Sequence, residues 1–279
     1  MDTFDTPAPC ISVAQLHSRL GSRRAPLVVD VRRAAAFDAD SVVISSAIWR
    51  DPFTPDVWLK FLPRHREIVM YCVHGHEISK NACSAVRSAG LTAHYLEGGI
   101  EAWKEAKGAT TRKGVIAGIP SPVTAPSRWI TRERPKIDRI ACPWLIRRFI
   151  DPFAEFIYAP AGEVQSQAEQ RGAIAYDIPN VQFSHRGDQC SFDALLEDFQ
   201  IHDPALQVLA TIVRGADTGK PELTPQSAGL LAVSLGLSAL HENDHDMLME
   251  GMVVYDALYA WARKARPEVH NADLFIKTA

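Results

Sequence analysis

Four stretches of this chain carry residue types suited to chemistry. In residues 67–79 (Glu-Ile-Val-Met-Tyr-Cys-Val-His-Gly-His-Glu-Ile-Ser) a single cysteine, Cys72, follows an apolar β-branched and aromatic run and precedes a glycine-containing loop. The amides of a loop that curls over a helix N-terminus, together with the helix dipole, stabilise negative charge placed in their bowl. A cysteine held there favours its thiolate, which is the nucleophilic form. Spacing alone leaves open a plain buried cysteine at a strand end. Residues 241–246 (His-Glu-Asn-Asp-His-Asp) form the second stretch, and helical spacing would set His241 beside His245. Imidazole with carboxylate suits Zn, Fe, Ni or Mn, whereas a capped helix start uses the same residues without any metal. The third stretch places His185, Asp188 and Cys190 together at a turn. The fourth is a basic segment in which Arg139, Arg147 and Arg148 fall away from the apolar stripe Ile140, Trp144, Leu145, Phe149 and Ile150. Arginine suits oxyanions; a solvated basic face is the competing reading.

The elements that must position these residues follow from periodicity. Residues 27–31 and 68–71 read as buried strands of a parallel sheet, and residues 94–96 as a third. Residues 42–48 read as another strand, and residues 10–20 as a strand followed by a short helix. Helical spacing predicts helices over residues 33–37, 56–62, 78–89 and 99–107, the third stopping at Gly90. Such alternation implies a sheet covered on both faces. Residues 108–127 contain Gly108, Gly114, Gly118, Pro120, Pro122 and Pro126 without usable periodicity, and read as a linker. The expected organisation is residues 1–108, a linker over 109–126, and a second domain over 127–279. In that second half, residues 156–158 and 173–178 read as strands. Helices are expected around 165–169 and over 192–199, 204–213, 225–240 and 247–264. The fold class is thus an α/β domain with a parallel sheet, followed by a mostly helical α+β domain.

Composition narrows the function. The chain has 279 residues, 47% hydrophobic and 23% charged, with net charge −3. That is the profile of soluble globular domains, and it gives no support to non-specific nucleic-acid binding. The five cysteines are odd in number, widely spaced and without a CxxC pair, which fits neither a disulfide framework nor a zinc ribbon. The first nine residues lack the basic and apolar regions of a signal peptide. The longest apolar run, residues 230–240, is far short of the ~20 residues a membrane helix needs. A cytoplasmic location without nucleic-acid or membrane partners is expected.

Asp30-Val31-Arg32, Phe37, Tyr71-Cys72 with Gly75, and Tyr95-Leu96-Glu97-Gly98-Gly99-Ile100 with Trp103 occur in an order and spacing that resembles a rhodanese domain. The resemblance implies a sulfurtransferase fold in which Cys72 carries sulfur as a persulfide. Val73, His74, Gly75, His76, Glu77 and Ile78 would form its anion loop, with Asp30 and Arg32 in support. The loop departs from the family pattern in lacking an arginine: Glu77 and Ile78 stand there, and His74 and His76 are the nearby groups able to carry part-time charge. In the second half, the run from Lys136 through Asp151, Phe183-Ser184-His185 with Asp188, Cys190 and Phe192, Asp244-His245 with Met247 and Leu248, and Gly251-Met252 through Trp261 resemble the C-terminal domain of the chromate-resistance protein ChrB family. That implies a link to chromate. Within this resemblance His185, Asp217, Asp244 and His245 form the expected metal or oxyanion set. No cofactor is fixed at this level; by residue type the set suits a divalent transition metal (Zn, Fe, Ni or Mn), with Arg139, Arg147 and Arg148 as oxyanion candidates.

The leading expectation is a rhodanese-type sulfurtransferase or thiol-dependent enzyme associated with chromate resistance. Its substrates would be persulfide, thiosulfate, chromate or thiol–chromium species. A chromate-binding sensor without catalysis and a rhodanese-like docking module are the alternatives. Oligomeric state is not legible in the sequence.

Overall fold

The computed structural model describes residues 9–116 and 126–266. The first half runs β1 (Cys10–Ile11), α1 (Val13–Arg19), β2 (Leu27–Asp30), α2 (Ala34–Ala39), β3 (Val42–Ile44) and β4 (Ile48–Trp49). It continues through α3 (Pro55–Trp58), β5 (Ile68–Tyr71), α4 (Glu77–Ser88), β6 (Ala93–Leu96), α5 (Gly99–Glu105) and β7 (Thr110–Arg112). Five parallel strands stand in the order β1-β6-β5-β2-β4. The central pair is buried on both faces, as the continuous apolar runs require. Alternation along these strands divides the core. Leu27, Val29, Ile68 and Met70 pack with Cys83 and Val86 of α4, whereas Val28, Val69 and Tyr71 pack with Leu16 of α1 and Ile100 and Trp103 of α5. The chain leaves β2 for β4 on one side and then crosses to β5 on the other. The carboxyl ends of β2 and β5 therefore flank the topological switch point, where open α/β sheets bind ligands. Cys72 and the Asp30–Arg32 segment sit there.

Several predicted elements differ from those observed. Residues 42–48 form two strands in different sheets, because Ser46 takes a left-handed φ of 64° and turns the chain. The first piece, β3, pairs antiparallel with β7. Thus Thr110–Arg112, inside the expected linker, is a strand; Gly118, Pro120 and Pro122 lie outside the described residues. The helix predicted over 56–62 is α3 followed by a 3-10 turn, Leu59–Phe61.

The second half comprises β8 (Arg128–Arg132), α6 (Asp138–Leu145), β9 (Glu155–Ala159), α7 (Val164–Arg171), β10 (Ile174–Ala175), α8 (Ser191–Asp198), α9 (Pro204–Asp217), α10 (Pro225–Leu240) and α11 (Asp244–Ala260). Its sheet, β10-β8-β9, is parallel and small. The strand predicted over 173–178 is only two residues long, because Asp177 adopts φ 50° and ends it. Trp144 of α6 anchors the helical core, its ring lying 5.8 Å from Phe149, 5.5 Å from Tyr259 and 6.4 Å from Tyr255. Gly251 lets α11 close on α6: a Cβ there would lie 2.8 Å from Ile140 Cγ2. Pro143 interrupts the hydrogen bonding of α6, which continues as a π-helical turn, Ile146–Ile150. His241 and His245 do not share a helix. α10 ends at Leu240, His241 is extended, and α11 starts at Asp244 under an Asn243 cap.

The halves are packed together. The Phe149 carbonyl accepts the Ser46 amide at 2.8 Å and the Thr111 hydroxyl at 2.7 Å, and the Arg112 amide donates to Phe199 at 2.8 Å. No helix among the described residues is long and apolar enough to cross a membrane.

Candidate functional site

Cys72 directly follows β5, the central strand, and is 5% exposed, with Sγ 3.3 Å from the Ser79 hydroxyl. The following loop is fixed by glycines against the turn that starts α5. Gly75 has φ 70°, and a Cβ on it would lie 2.5 Å from the Leu96 carbonyl oxygen. A Cβ on Gly99 would lie 2.4 Å from the Cys72 carbonyl oxygen. That carbonyl accepts the Ile100 amide at 3.0 Å, and the Val73 carbonyl accepts the Glu101 amide at 3.2 Å. Meanwhile the amides of residues 73–78 donate to no acceptor among the described residues. They form a set of unused donors beside the sulfur, at the start of a twelve-residue helix.

A cleft of about 550 Å³ opens over Cys72, lined also by Arg32, Arg33, His74, His76, Glu77 and Lys80. Arg32 is committed elsewhere. Its guanidinium holds Asp30 through Nε and Nη2 at 2.9 and 2.7 Å, Asp40 at 2.7 Å and the Val42 carbonyl at 3.0 Å. Burial opposes its charge, but Asp30 more than offsets that and keeps it firmly ionised. Tyr71 donates to Asp30 at 2.8 Å and accepts the Ile44 amide at 3.2 Å. Asp30 and Arg32 thus tie the ends of β2, β3 and β5 together, and Arg32 reaches the cleft wall with its guanidinium already paired. Two further cations, Arg33 and Lys80, line the cleft, Arg33 lying over the Phe53 ring at 5.8 Å and Lys80 over the Tyr95 ring at 5.3 Å.

The second constellation gathers around His185. Its Nε2 lies 3.1 Å from Asp217 Oδ2, 3.4 Å from Asp177 Oδ1 and 3.6 Å from Asp138 Oδ2. Asp138 opens α6 and is fully buried; it accepts the first amides of α8, Ser191 at 2.5 Å and Phe192 at 3.2 Å. Asp177 accepts the Ser191 hydroxyl at 2.9 Å and pairs with Arg132 at 3.2 Å and Arg139 at 3.4 Å. Asp217 closes α9 and accepts the Asp138 amide at 3.4 Å. Burial, then Asp217 and Asp177, push the Asp138 carboxyl well above the usual range. Burial and Asp177 push Asp217 up as well. Burial also opposes ionised Asp177, but hydrogen bonds from His185 and Ser191 outweigh it and hold that carboxyl below its usual value. The hydrogen bond to Asp177 raises His185 to about 9.

Residues 12–106 match the family described as the rhodanese-like domain, and residues 129–262 match the ChrB C-terminal domain. The chain carries a rhodanese-like domain followed by a ChrB C-terminal domain. Protein ChrB of Cupriavidus metallidurans is 35% identical over 150 residues, which are 52% of this chain and 45% of that protein. The chain therefore spans less than half the length of this curated relative. A rhodanese-related protein from Thermoplasma volcanium is similar to 37% of this chain over 96% of its own, at 26% identity and TM-score 0.33. A protein from Bacillus halodurans is similar over 37% of this chain and 76% of its own, also at 26% identity and TM-score 0.33.

Within the ChrB C-terminal domain, the expected set His185, Asp217, Asp244 and His245 is only half assembled. His185 and Asp217 meet, but Asp244 accepts the Arg134 amide at 3.1 Å and the His245 ring packs edge-on against Tyr158 at 5.4 Å. Asp138 and Asp177 stand beside His185 instead. One ligand atom from each of Asp138, Asp177 and His185 lies within 4.8 Å of the others. Carboxylate oxygens with one imidazole nitrogen fit a divalent transition metal, and the amides on Asp138 and the hydroxyl on Asp177 would orient those ligands. Asp138 was hidden inside an apolar helical pattern, and Asp177 at the end of a weak strand. The available signal was an ionisable residue opening an otherwise buried helix. Nor do the three arginines converge. Arg139 joins Asp177. Arg147 donates to the Ala154 carbonyl at 3.1 Å with its guanidinium over Phe156, and Arg148 holds Asp256 with two bonds of 2.9 Å.

Proposed function

We propose that this chain is a chromate-resistance-associated thiol enzyme of the rhodanese type, with Cys72 as sulfur carrier. One observation supports the reading above others: the sulfur lies at the floor of an open cleft beside a row of unengaged amides, residues 73–78. The Cys72 thiolate attacks the outer sulfur of a donor such as thiosulfate. A sulfur–sulfur bond forms to Cys72 while the donor's own bond breaks, its electron pair leaving with sulfite. An acceptor thiolate then attacks the outer sulfur and regenerates the Cys72 thiolate. The amides stabilise the anionic terminal sulfur of the persulfide, and Arg33 and Lys80 favour an anionic donor. All five cysteines are free, which accords with a reducing cytoplasm.

In the second domain Asp138, Asp177, His185 and Asp217 would hold a divalent transition metal. When bound it would supply Lewis-acid polarisation of an oxygen ligand. Arg132 and Arg139 balance the charge of Asp177.

Purified protein is expected to transfer sulfur from at least one of thiosulfate, mercaptopyruvate or a persulfide, and Cys72→Ser to abolish it. Transfer from none of these donors sinks the catalytic reading. Elemental analysis of protein purified without added metal, repeated on His185→Ala, tests the metal centre; equal metal content in both removes His185 from it.

A further inference from the structure

A second cleft, of about 470 Å³, opens where the two domains meet and shares no lining residue with the Cys72 cleft. Its walls carry Arg23, Arg24 and Arg66 from the rhodanese-like domain and Arg147 and Arg148 from the ChrB C-terminal domain, with His65 beside them. Among the described residues few carboxylates balance these charges; Asp151 acts on Arg147. Arg148 has Asp256. Among the described residues Arg66 donates to the backbone carbonyls of Ala25 at 2.9 Å and Pro26 at 3.2 Å and to nothing else. Arg147 has the Ala154 carbonyl and the Met252 sulfur. Among the described residues Arg23 and Arg24 make no ion pair or hydrogen bond. The wall carboxylate Glu67 is taken by Arg19 at 2.6 Å and His94 at 3.0 Å.

Like charges gathered at a partly buried junction repel one another. Burial, and after it Arg148, push the Arg66 guanidinium down to about 10. Burial lowers Arg147 too. Both groups would be relieved by an anion between them. The cleft volume falls within the ~300–1,000 Å³ of small-molecule sites and leaves room beyond a single tetrahedral ion. We infer that this junction cleft binds a doubly charged tetrahedral oxyanion, phosphate or sulfate in type, either free or as the end of a small organic molecule, with guanidinium groups from both domains contributing. Planar guanidinium donors match such oxygens, and a ligand held from both sides ties the domains together.

The test is titration of the full chain with sulfate, inorganic phosphate and phenyl phosphate at constant ionic strength set by chloride, read by calorimetry and melting temperature. A saturable rise in melting temperature with at least one of these, not reproduced by chloride, is expected. Losing one charge-assisted contact should weaken binding about tenfold or more in Arg66→Gln and in the double variant Arg23→Gln/Arg24→Gln. The double variant alters exposed side chains and carries the test if Arg66→Gln fails to fold. Arg171→Gln, an exposed arginine on α7 away from the cleft, should bind as the unaltered chain does. So should Cys72→Ser, so that loss of sulfur transfer and loss of anion binding are separate results. Tighter binding of phenyl phosphate points to an esterified ligand, and equal or tighter binding of the inorganic ions to a free one. A rise that never saturates, or an equal loss in Arg171→Gln, overturns the proposal.

Discussion

His185 holds its imidazole proton against three carboxylates, and that arrangement makes it the most informative single titration in the molecule. Its pKa stands at about 9 against the usual 6.5, chiefly through the hydrogen bond to Asp177. The folded, metal-free protein therefore binds this proton more tightly than the unfolded chain. The resulting stability is fully present below pH 6.5 and disappears as pH rises through about 9. NMR titration of metal-free protein should place the ring's transition near 9, and Asp177→Asn should move it back toward 6.5. A wild-type transition near 6.5 would contradict the geometry around Asp177. This cluster also shows the limit of reading residues one at a time. His185 and Asp217 were legible as ligand types, but Asp138 and Asp177 were chosen by where α6 begins and β10 ends. Nothing in the types of Asp244 and His245 distinguishes them from ligands; their partners do.

At the scale of elements, the loop after β5 depends on backbone that only glycine allows. Gly75 is left-handed, and an added Cβ would meet a carbonyl oxygen at 2.5 Å rather than a movable side chain. Gly75→Ala should cost about 1–3 kcal/mol in denaturant unfolding. It should also abolish sulfur transfer, because the amides of residues 73–78 shift from the sulfur. Unchanged activity would mean the loop does not position the reacting group. The strand–loop–helix unit around Cys72 was legible because a both-faces-buried strand and a 3.6-residue period are local signals. The break at Ser46 and the pairing of β3 with β7 were not. Their partners lie 66 residues apart in one hydrogen bond, Ser45 with Thr111, and local periodicity carries no such information.

Across the whole molecule, the two domains are joined at a packed seam. Gly21 has φ 73°, and a Cβ on it would lie 2.5 Å from the Tyr259 ring and 2.7 Å from Phe149, both nearly fully buried. Arg263 reaches back to the Leu20 carbonyl at 3.0 Å. Gly21→Val should wedge the seam, so that one calorimetric unfolding transition becomes two; a single unshifted transition would show that the seam does not couple the domains. The sequence by itself determined the two domains, the parallel sheet and the place of Cys72, since buried strands, amphipathic helices and their caps are written in neighbouring residues. Only the tertiary structure decided which carboxylates meet His185, which arginines face one another across the seam, and that Arg33 and Lys80 line the Cys72 cleft. Those meetings join residues tens of positions apart, and packing rather than local pattern sets the distances on which electrostatics and ligand binding depend.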